Sequence, residues 1–398
     1  MHTLLAPSVQ ASLGGSSAIR KMFEQGIELK KKFGEENVYD FSLGNPDLAP
    51  PPAVKAALQG IADTADRPFA LGYMPNAGFP ATRAAFARKV SEEQGIETPA
   101  ANIVATVGAA GALNVIFRAI LAPGDEILVP SPYFVEYGFY CGNYGGKLVP
   151  VPTHPGDFSL DLGAIAAAIT PRTRAIIVNT PNNPTGQVYP AADLAALGRI
   201  LADASAKNAR TIYLISDEPY RALNYTGESI PSVFQAYPCT LAVGSFSKTL
   251  CLAGERIGYV AANPAIGEGL EDLMSGLVLA NRILGYVNAP NIGQRIAEAA
   301  IDATVDVSIY RRRRDAMADI LTAAGIRFFL PKGAFYFFPQ SPVADESVFI
   351  DALLREHILA VAGSGFGLSG HIRLAFCVED GVIARSAPAF LRAMQAFR

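Results

Sequence analysis

Ser245-Phe246-Ser247-Lys248 and the following Gly254-Glu255-Arg256-Ile257-Gly258-Tyr259 bring one lysine, two hydroxyls and one arginine to a glycine-rich turn. A primary amine in such a place can bond covalently to an aldehyde. A guanidinium, with its fixed fork of donors, and two serine hydroxyls can hold a phosphate. An aldehyde and a phosphate together describe pyridoxal 5′-phosphate (PLP). Taken alone, Lys248 reads first as a surface lysine beside a structural arginine, and the rest of the chain decides between the two readings.

The elements that must position these groups are legible in the apolar pattern. The run Thr240-Leu241-Ala242-Val243-Gly244 reads as a buried strand. Lys248 then falls just past a strand end, where open α/β sheets bind ligands. Strand-like runs are expected at 103–107, 126–130, 147–151, 175–179, 211–216, 241–244 and 257–261, with helical patterns between most of them, as at 191–206. Repeated alternation predicts an α/β fold, a mainly parallel seven-stranded sheet flanked by helices. A helix is expected over 16–35, carrying Ile19, Met22, Phe23, Ile27 and Leu29 among charges, before Phe41-Ser42-Leu43-Gly44-Asn45-Pro46-Asp47 breaks into a loop. After about residue 290 the pattern changes. A long helix is expected at 307–324, strands at 326–330 and 334–338, a helix near 346–356, a glycine loop at 363–367, a strand at 371–376 and a final helix. These predict a smaller α+β domain formed by 1–47 and 291–398, beside a large domain of 48–290. Arg311 to Arg314 read as a solvated helix face.

Five further motifs sit where such a sheet gathers strand ends at one edge. Gly108-Ala109-Ala110-Gly111 follows a strand and opens a helix, so its backbone N–H groups either cradle a phosphate or simply make a tight turn. Pro181-Asn182-Asn183-Pro184-Thr185-Gly186 makes a turn in which an asparagine is placed to bond a ligand oxygen. In Ser216-Asp217-Glu218-Pro219-Tyr220, Asp217 lies at the carboxyl end of a strand. A carboxylate there can pair with a pyridinium N–H and keep the ring an electron sink, or it can cap a helix. Tyr220 can donate to a phenolic oxygen of the ring. Tyr133, in Ser131-Pro132-Tyr133-Phe134, offers a face for stacking on a planar cofactor or a body for core packing. Arg373 is a lone charge in the apolar run His371-Ile372-Arg373-Leu374-Ala375-Phe376; buried, it requires an anionic partner, either a structural carboxylate or the α-carboxylate of a substrate.

Bulk properties exclude several alternatives. The 398 residues carry 33 Lys+Arg against 36 Asp+Glu, a net charge of −3, so no nucleic-acid or anionic-membrane partner is suggested. The four cysteines show no CxxC pairing and read as buried thiols of a reducing compartment. The four histidines are equally scattered, and no metal site is expected. No basic segment or long apolar stretch opens the chain, so a secretory signal is not expected and a cytoplasmic location is. The uncharged run 98–117 is long enough to span a bilayer, yet Pro99, Asn102, Gly108, Gly111 and Asn114 suit a strand, a turn and a helix.

Together the motifs, from about Leu43 to Arg373, resemble the class I/II aminotransferases of PLP fold type I. The resemblance implies that Lys248 bonds the cofactor and shuttles protons and that Asp217 pairs with the pyridine nitrogen. It implies that Asn183 and Tyr220 bond the ring's phenolic oxygen, that Ser245, Ser247, Arg256 and the amides of Gly108, Ala109 and Ala110 hold the phosphate, and that Tyr133 stacks on the ring. Arg373, aided by Gly44 and Asn183, would bind the substrate α-carboxylate. Tyr73 resembles the tyrosine that reaches the phosphate of a neighbouring subunit, which implies a homodimer with its active site at the subunit interface. The phosphate loop departs from the family in having Ala109-Ala110 where small hydroxyl residues are usual, so only amides remain there. The loop after Tyr73 reads Gly78-Phe79-Pro80-Ala81-Thr82-Arg83 and lacks the family's leucine. The implied reaction is ping-pong transfer of an amino group between an L-amino acid and a 2-oxo acid through pyridoxamine phosphate. A lyase of the same fold, cleaving a C–S bond or a β-carboxyl group, is the alternative, since one electron sink serves every carbanion route. A PLP-sensing module without enzyme activity would need a DNA-binding segment, and no basic helix-turn-helix pattern precedes Ser16. Arg282, in an apolar stretch, lies where some dicarboxylate-specific members place a substrate arginine from the other subunit; a structural salt bridge is its other reading.

Overall fold

The structure is a computed structural model that describes residues 4–7, 9–10 and 18–397. The described residues divide into two compact units, one of residues 46–308 with 332–334, the other of those up to 45 together with 309–331 and 335–397.

The larger unit is built on one sheet of seven strands. In chain order these are β2 (Ile103–Val107), β3 (Glu126–Ser131), β4 (Lys147–Pro152), β5 (Thr173–Asn179), β6 (Tyr213–Asp217), β7 (Thr240–Ser245) and β8 (Ile257–Ala262); the label β1 belongs to Tyr39–Asp40 of the smaller unit. Their spatial order is β2-β8-β7-β6-β5-β3-β4. All pairs are parallel except those of β8, which runs antiparallel to both β2 and β7. Successive side chains on a strand point to opposite faces, and the sequence uses both. Ile103, Ala105, Ile176, Val178, Leu214 and Ala242 enter one core with helices Pro52–Ala62, Pro80–Gln94 and Ala191–Asn208. Val104, Ala175, Ile177, Ile215, Leu241 and Val243 enter the other, beneath helices Gly108–Ile120 and Leu270–Ile283. Burial on both faces is why these strands read as continuous apolar runs. The uncharged stretch after residue 98 is accordingly β2 and the helix behind it, and among the described residues no helix is long and apolar enough to cross a membrane.

In the smaller unit, helix Ala18–Phe33 ends where Gly34 turns to φ 86°, and Phe33 stacks on His357 at 4.1 Å. Residues 16 and 17 of the expected first helix lie outside the described residues. β1 pairs in parallel with β10 (Ile358–Leu359), and β11 (Val361–Ala362), β12 (Ile372–Ala375) and β9 (Tyr336–Phe337) form an antiparallel sheet.

Four expectations need correction. Residues 326–330 form no strand; they run irregularly after the helix, with Phe328 set edge-on to Phe337. The arginine run is not uniformly solvated. Helix Val307–Ala324 turns about 100° per residue, so Arg311 and Arg312 face outward while Arg313 joins the inward stripe of Tyr310, Met317 and Leu321 and pairs with Asp380 at 2.6 Å. Residues 291–308 group with the larger unit, because helix Asn291–Ala299 sends Ile296 and Ala297 into its core. Residues 332–334 do likewise through backbone bonds from Tyr225 N to Lys332 O and from Ala334 N to Leu223 O. All four cysteines are free, but only Cys141 and Cys377 are buried; Cys239 and Cys251 are partly exposed.

Candidate active site

Parallel strands end on the same edge, and this topology gathers most of the candidate residues. β5 ends at Asn179, β6 at Asp217 and β7 at Ser245, and pairing sets Asn179 opposite Asp217. β2 runs parallel to β7, because each is antiparallel to β8, so Gly108 leaves the sheet on this edge as well. The reversed β8 begins here, which brings Arg256, the residue before it, to the same place although it follows Lys248 in sequence.

The phosphate-type groups form one patch. Ser245 caps the short helix Phe246–Thr249: its Oγ accepts from Ser247 N at 3.2 Å and donates to Ser247 Oγ at 2.9 Å. Arg256 sits in the left-handed region, φ 52°, and donates Nη1 to Ala253 O at 2.9 Å. Its guanidinium lies across the start of helix Gly108–Ile120. A Cβ added to Gly108, itself at φ 68°, would come within 3.1 Å of Arg256 Nη2. A Cβ on Gly258 would press to 2.8 Å from the Gly108 carbonyl carbon and 3.0 Å from Ala109 N. Glycine at both positions therefore lets an arginine close on a helix N-terminus whose amides already favour an anion. Lys248 is partly buried one helical turn beyond Ser245.

Asp217 has the most unusual environment. It is 5% exposed. Tyr137 donates its phenol to Oδ2 at 2.5 Å, while Oδ1 has no hydrogen-bond partner among the described residues. Burial pushes the Asp217 carboxyl up to about 7; the Tyr137 bond pulls against that rise and neighbouring Glu218 adds to it. A buried carboxylate with one bare oxygen fits a cationic ring N–H, and it caps no helix. Asn179 ties the surroundings together: its Nδ2 donates to Asp217 O at 2.8 Å and its Oδ1 accepts from Asn183 N at 2.6 Å. Asn183 and Tyr220 are buried in the same unit. Tyr133 is partly exposed and packs against the core beneath helix Gly108–Ile120, and burial raises its phenol above the usual range. Among the described residues no cluster of ligating side chains could hold a metal.

Two candidates stand apart from the strand ends. Tyr73 is 91% exposed on a loop whose backbone is pinned by Asn288 Nδ2 to Met74 O at 3.1 Å and Asn291 Nδ2 to Gly72 O at 3.1 Å. Arg282 is exposed in the last turn of helix Leu270–Ile283 and makes no salt bridge among the described residues. Gly44 and Arg373 belong to the smaller unit. Arg373 is 3% exposed, donates Nη2 to Ser42 O at 2.7 Å, and is sandwiched by the rings of Tyr336 and Phe366 at 4.6 and 4.7 Å. Tyr336 packs so closely on Gly44 that no side chain fits there.

Sequence reasoning missed Tyr137 and the bridging role of Asn179. Asn179 carried a signal, as the last residue of a strand entering a recognisable turn. Tyr137 carried only its position one turn after Tyr133; that it meets Asp217 follows from how helix Glu136–Gly142 is packed.

A family model described as aminotransferase class I and II matches residues 36–389. The aspartate/prephenate aminotransferase of Thermus thermophilus is 35% identical over 359 residues, 89% of this chain and 90% of that one. The aspartate aminotransferase of Geobacillus stearothermophilus is 31% identical, covering 96% of each. Among solved structures, an amino transferase from Eubacterium rectale superposes with a TM-score of 0.95 at 36% identity, covering 100% of both chains. The Thermus thermophilus aspartate aminotransferase with maleate gives a TM-score of 0.87 at 32% identity over 99% of this chain and 100% of that one.

Proposed function

The chain belongs to the class I and II aminotransferase family and is an aminotransferase, and from that premise we propose that it is a PLP-dependent, homodimeric, cytoplasmic enzyme with a dicarboxylic amino acid as its donor. Amino acid and 2-oxo acid are its substrates as an aminotransferase. When bound, PLP supplies an aldehyde for capture of an amine and a cationic ring that withdraws electrons from the substrate α-carbon. The observation that carries the cofactor assignment is the bare Oδ1 of buried Asp217, an acceptor suited to a pyridinium N–H.

The roles of the other residues follow from their chemistry. Lys248 Nζ would hold the aldehyde group of the cofactor and would move a proton to and from the substrate α-carbon. Arg256, Ser245, Ser247 and the amides at 108–110 bind the phosphate dianion. Asn183 and Tyr220 would donate to the ring's phenolic oxygen, and Tyr133 would offer its face to the ring. Arg373 receives the substrate α-carboxylate; its two flanking rings leave only the in-plane N–H groups for a planar anion. The family resemblance assigns Gly44 and Asn183 to the same carboxylate. Tyr73 and Arg282 are assigned to the second subunit's site, Tyr73 at the phosphate and Arg282 at a side-chain carboxylate. Exposed Phe69, Leu71, Tyr73, Leu279 and Ile283 support an apolar face covered by a second copy.

The relatives' names support the donor class: two are aspartate aminotransferases by name, and one of them was solved with maleate, a dicarboxylate. They do not favour the lyase alternative. The test is a single half-reaction, mixing holoprotein with L-aspartate in the absence of any acceptor. One equivalent of 2-oxo acid per site, with matching loss of the visible cofactor band and no ammonia or carbon dioxide, is expected. Released ammonia or carbon dioxide in multiple turnovers would overturn transamination in favour of a lyase, and activity with alanine or aromatic donors alone would overturn the dicarboxylate assignment.

A further inference from the structure

Asp217 presents two chemically different oxygens, and the difference has one visible cause. Tyr137 is 1% exposed and its phenol donates to Oδ2 at 2.5 Å, whereas Oδ1 meets no donor among the described residues. The phenol is a committed donor, because burial and the adjacent Asp217 hold its proton far above the ordinary tyrosine range. Its ring is fixed in the core that also holds Ile177 and Ile215, with Phe134 edge-on at 5.5 Å. A carboxylate can turn about its last bond and offer either oxygen. Here the main chain of Asp217 is held by Asn179 and one oxygen by Tyr137, so the other is the acceptor that remains.

We propose that Tyr137 is a positioning residue for the cofactor's ring nitrogen: by engaging Oδ2 it keeps Asp217 an oriented anion whose Oδ1 accepts the ring N–H. The inference rests on the reading that Asp217 pairs with that nitrogen. Remove the phenol and Oδ2 becomes a second buried oxygen without a donor. The carboxyl then favours its protonated form, which donates a hydrogen bond and cannot hold a proton on the ring.

The experiment measures the dissociation constants of PLP and of its 1-deaza analogue, in which a C–H replaces the ring nitrogen, from the full-length parent, Tyr137→Phe and Asp217→Asn. A hydrogen bond to a charged group predicts that the parent prefers PLP by about tenfold or more. Tyr137→Phe should cut that preference about tenfold while moving affinity for the deaza analogue by less than about threefold. A residue that merely packs would weaken both cofactors equally, and that result, or an unchanged preference, overturns the proposal. Asp217→Asn separates the two levels. If the preference survives in Asp217→Asn, the pairing itself is wrong and the proposal falls with it; if it vanishes there but persists in Tyr137→Phe, pairing stands and only the role of Tyr137 is overturned. Should Tyr137→Phe fail to fold, 3-fluorotyrosine at position 137 keeps the phenol and makes it a stronger donor. Preference for PLP should then rise, and a fall or no change overturns the proposal.

Discussion

Asp217 should make the cofactor-free protein less stable as the pH rises, the reverse of the usual behaviour of a folded carboxylate. Its folded-state carboxyl lies at about 7 against 3.8 for an unperturbed aspartate, chiefly because it is buried. Between those values the unfolded chain has already released the proton that the folded chain retains. Folding therefore binds a proton, and the group's contribution declines steadily from about pH 4 to pH 7. At about 1.4 kcal/mol per pH unit, a shift from 3.8 to about 7 costs about 4 kcal/mol above neutrality. Asp217→Asn keeps the shape and an acceptor for Tyr137 but cannot ionise. Urea unfolding of the cofactor-free parent and variant, at one protomer concentration from pH 4.5 to 8.5, measures the gap directly. Asparagine should be more stable by several kcal/mol at pH 8, with the gap shrinking toward zero near pH 4.5. A gap independent of pH, or a parent more stable than the variant at pH 8, would refute the picture of a carboxylate buried with one bare oxygen.

Other substitutions test separate parts of the site. Lys248→Ala should abolish the visible band of covalently held cofactor and reduce turnover by orders of magnitude while leaving the thermal unfolding midpoint near the parent's, because no other lysine is assigned the aldehyde; retention of the band would refute the assignment. Gly258→Ala should lower stability by about 1–3 kcal/mol and weaken PLP binding measured by equilibrium dialysis. Its methyl would press to 2.6 Å from Gly244 O and 2.8 Å from the Gly108 carbonyl carbon, displacing the amides proposed to bind the phosphate. Arg282→Ala should raise KM for aspartate or glutamate by about tenfold, the worth of one exposed-to-buried charge pair, and leave alanine kinetics within about twofold; equal losses on both donors would return Arg282 to a structural role.

The strand pattern and the sheet's class were legible because every strand but the edge strand β4 is buried on both faces, so its residues form an apolar run whatever its neighbours are. Lys248, Asp217, Asn183 and Arg256 were legible as candidates because each lies in a short string near a strand end, where turn chemistry narrows the allowed residues. Boundaries between the units were not, since helix Asn291–Ala299 is amphipathic like those after it, and an apolar stripe does not say which core receives it; only packing tells where Ile296 goes. The arginine run could not be divided from its letters alone, because a single step of about 100° around the helix separates buried Arg313 from exposed Arg312. Residues 326–330 are apolar and aromatic enough for a strand, yet a strand exists only where a partner's backbone is available, and none pairs with them in a ladder. The same holds for Tyr137. A tyrosine in a short helix is an ordinary residue by sequence, and its tie to Asp217 across 80 positions of chain is a product of tertiary packing alone.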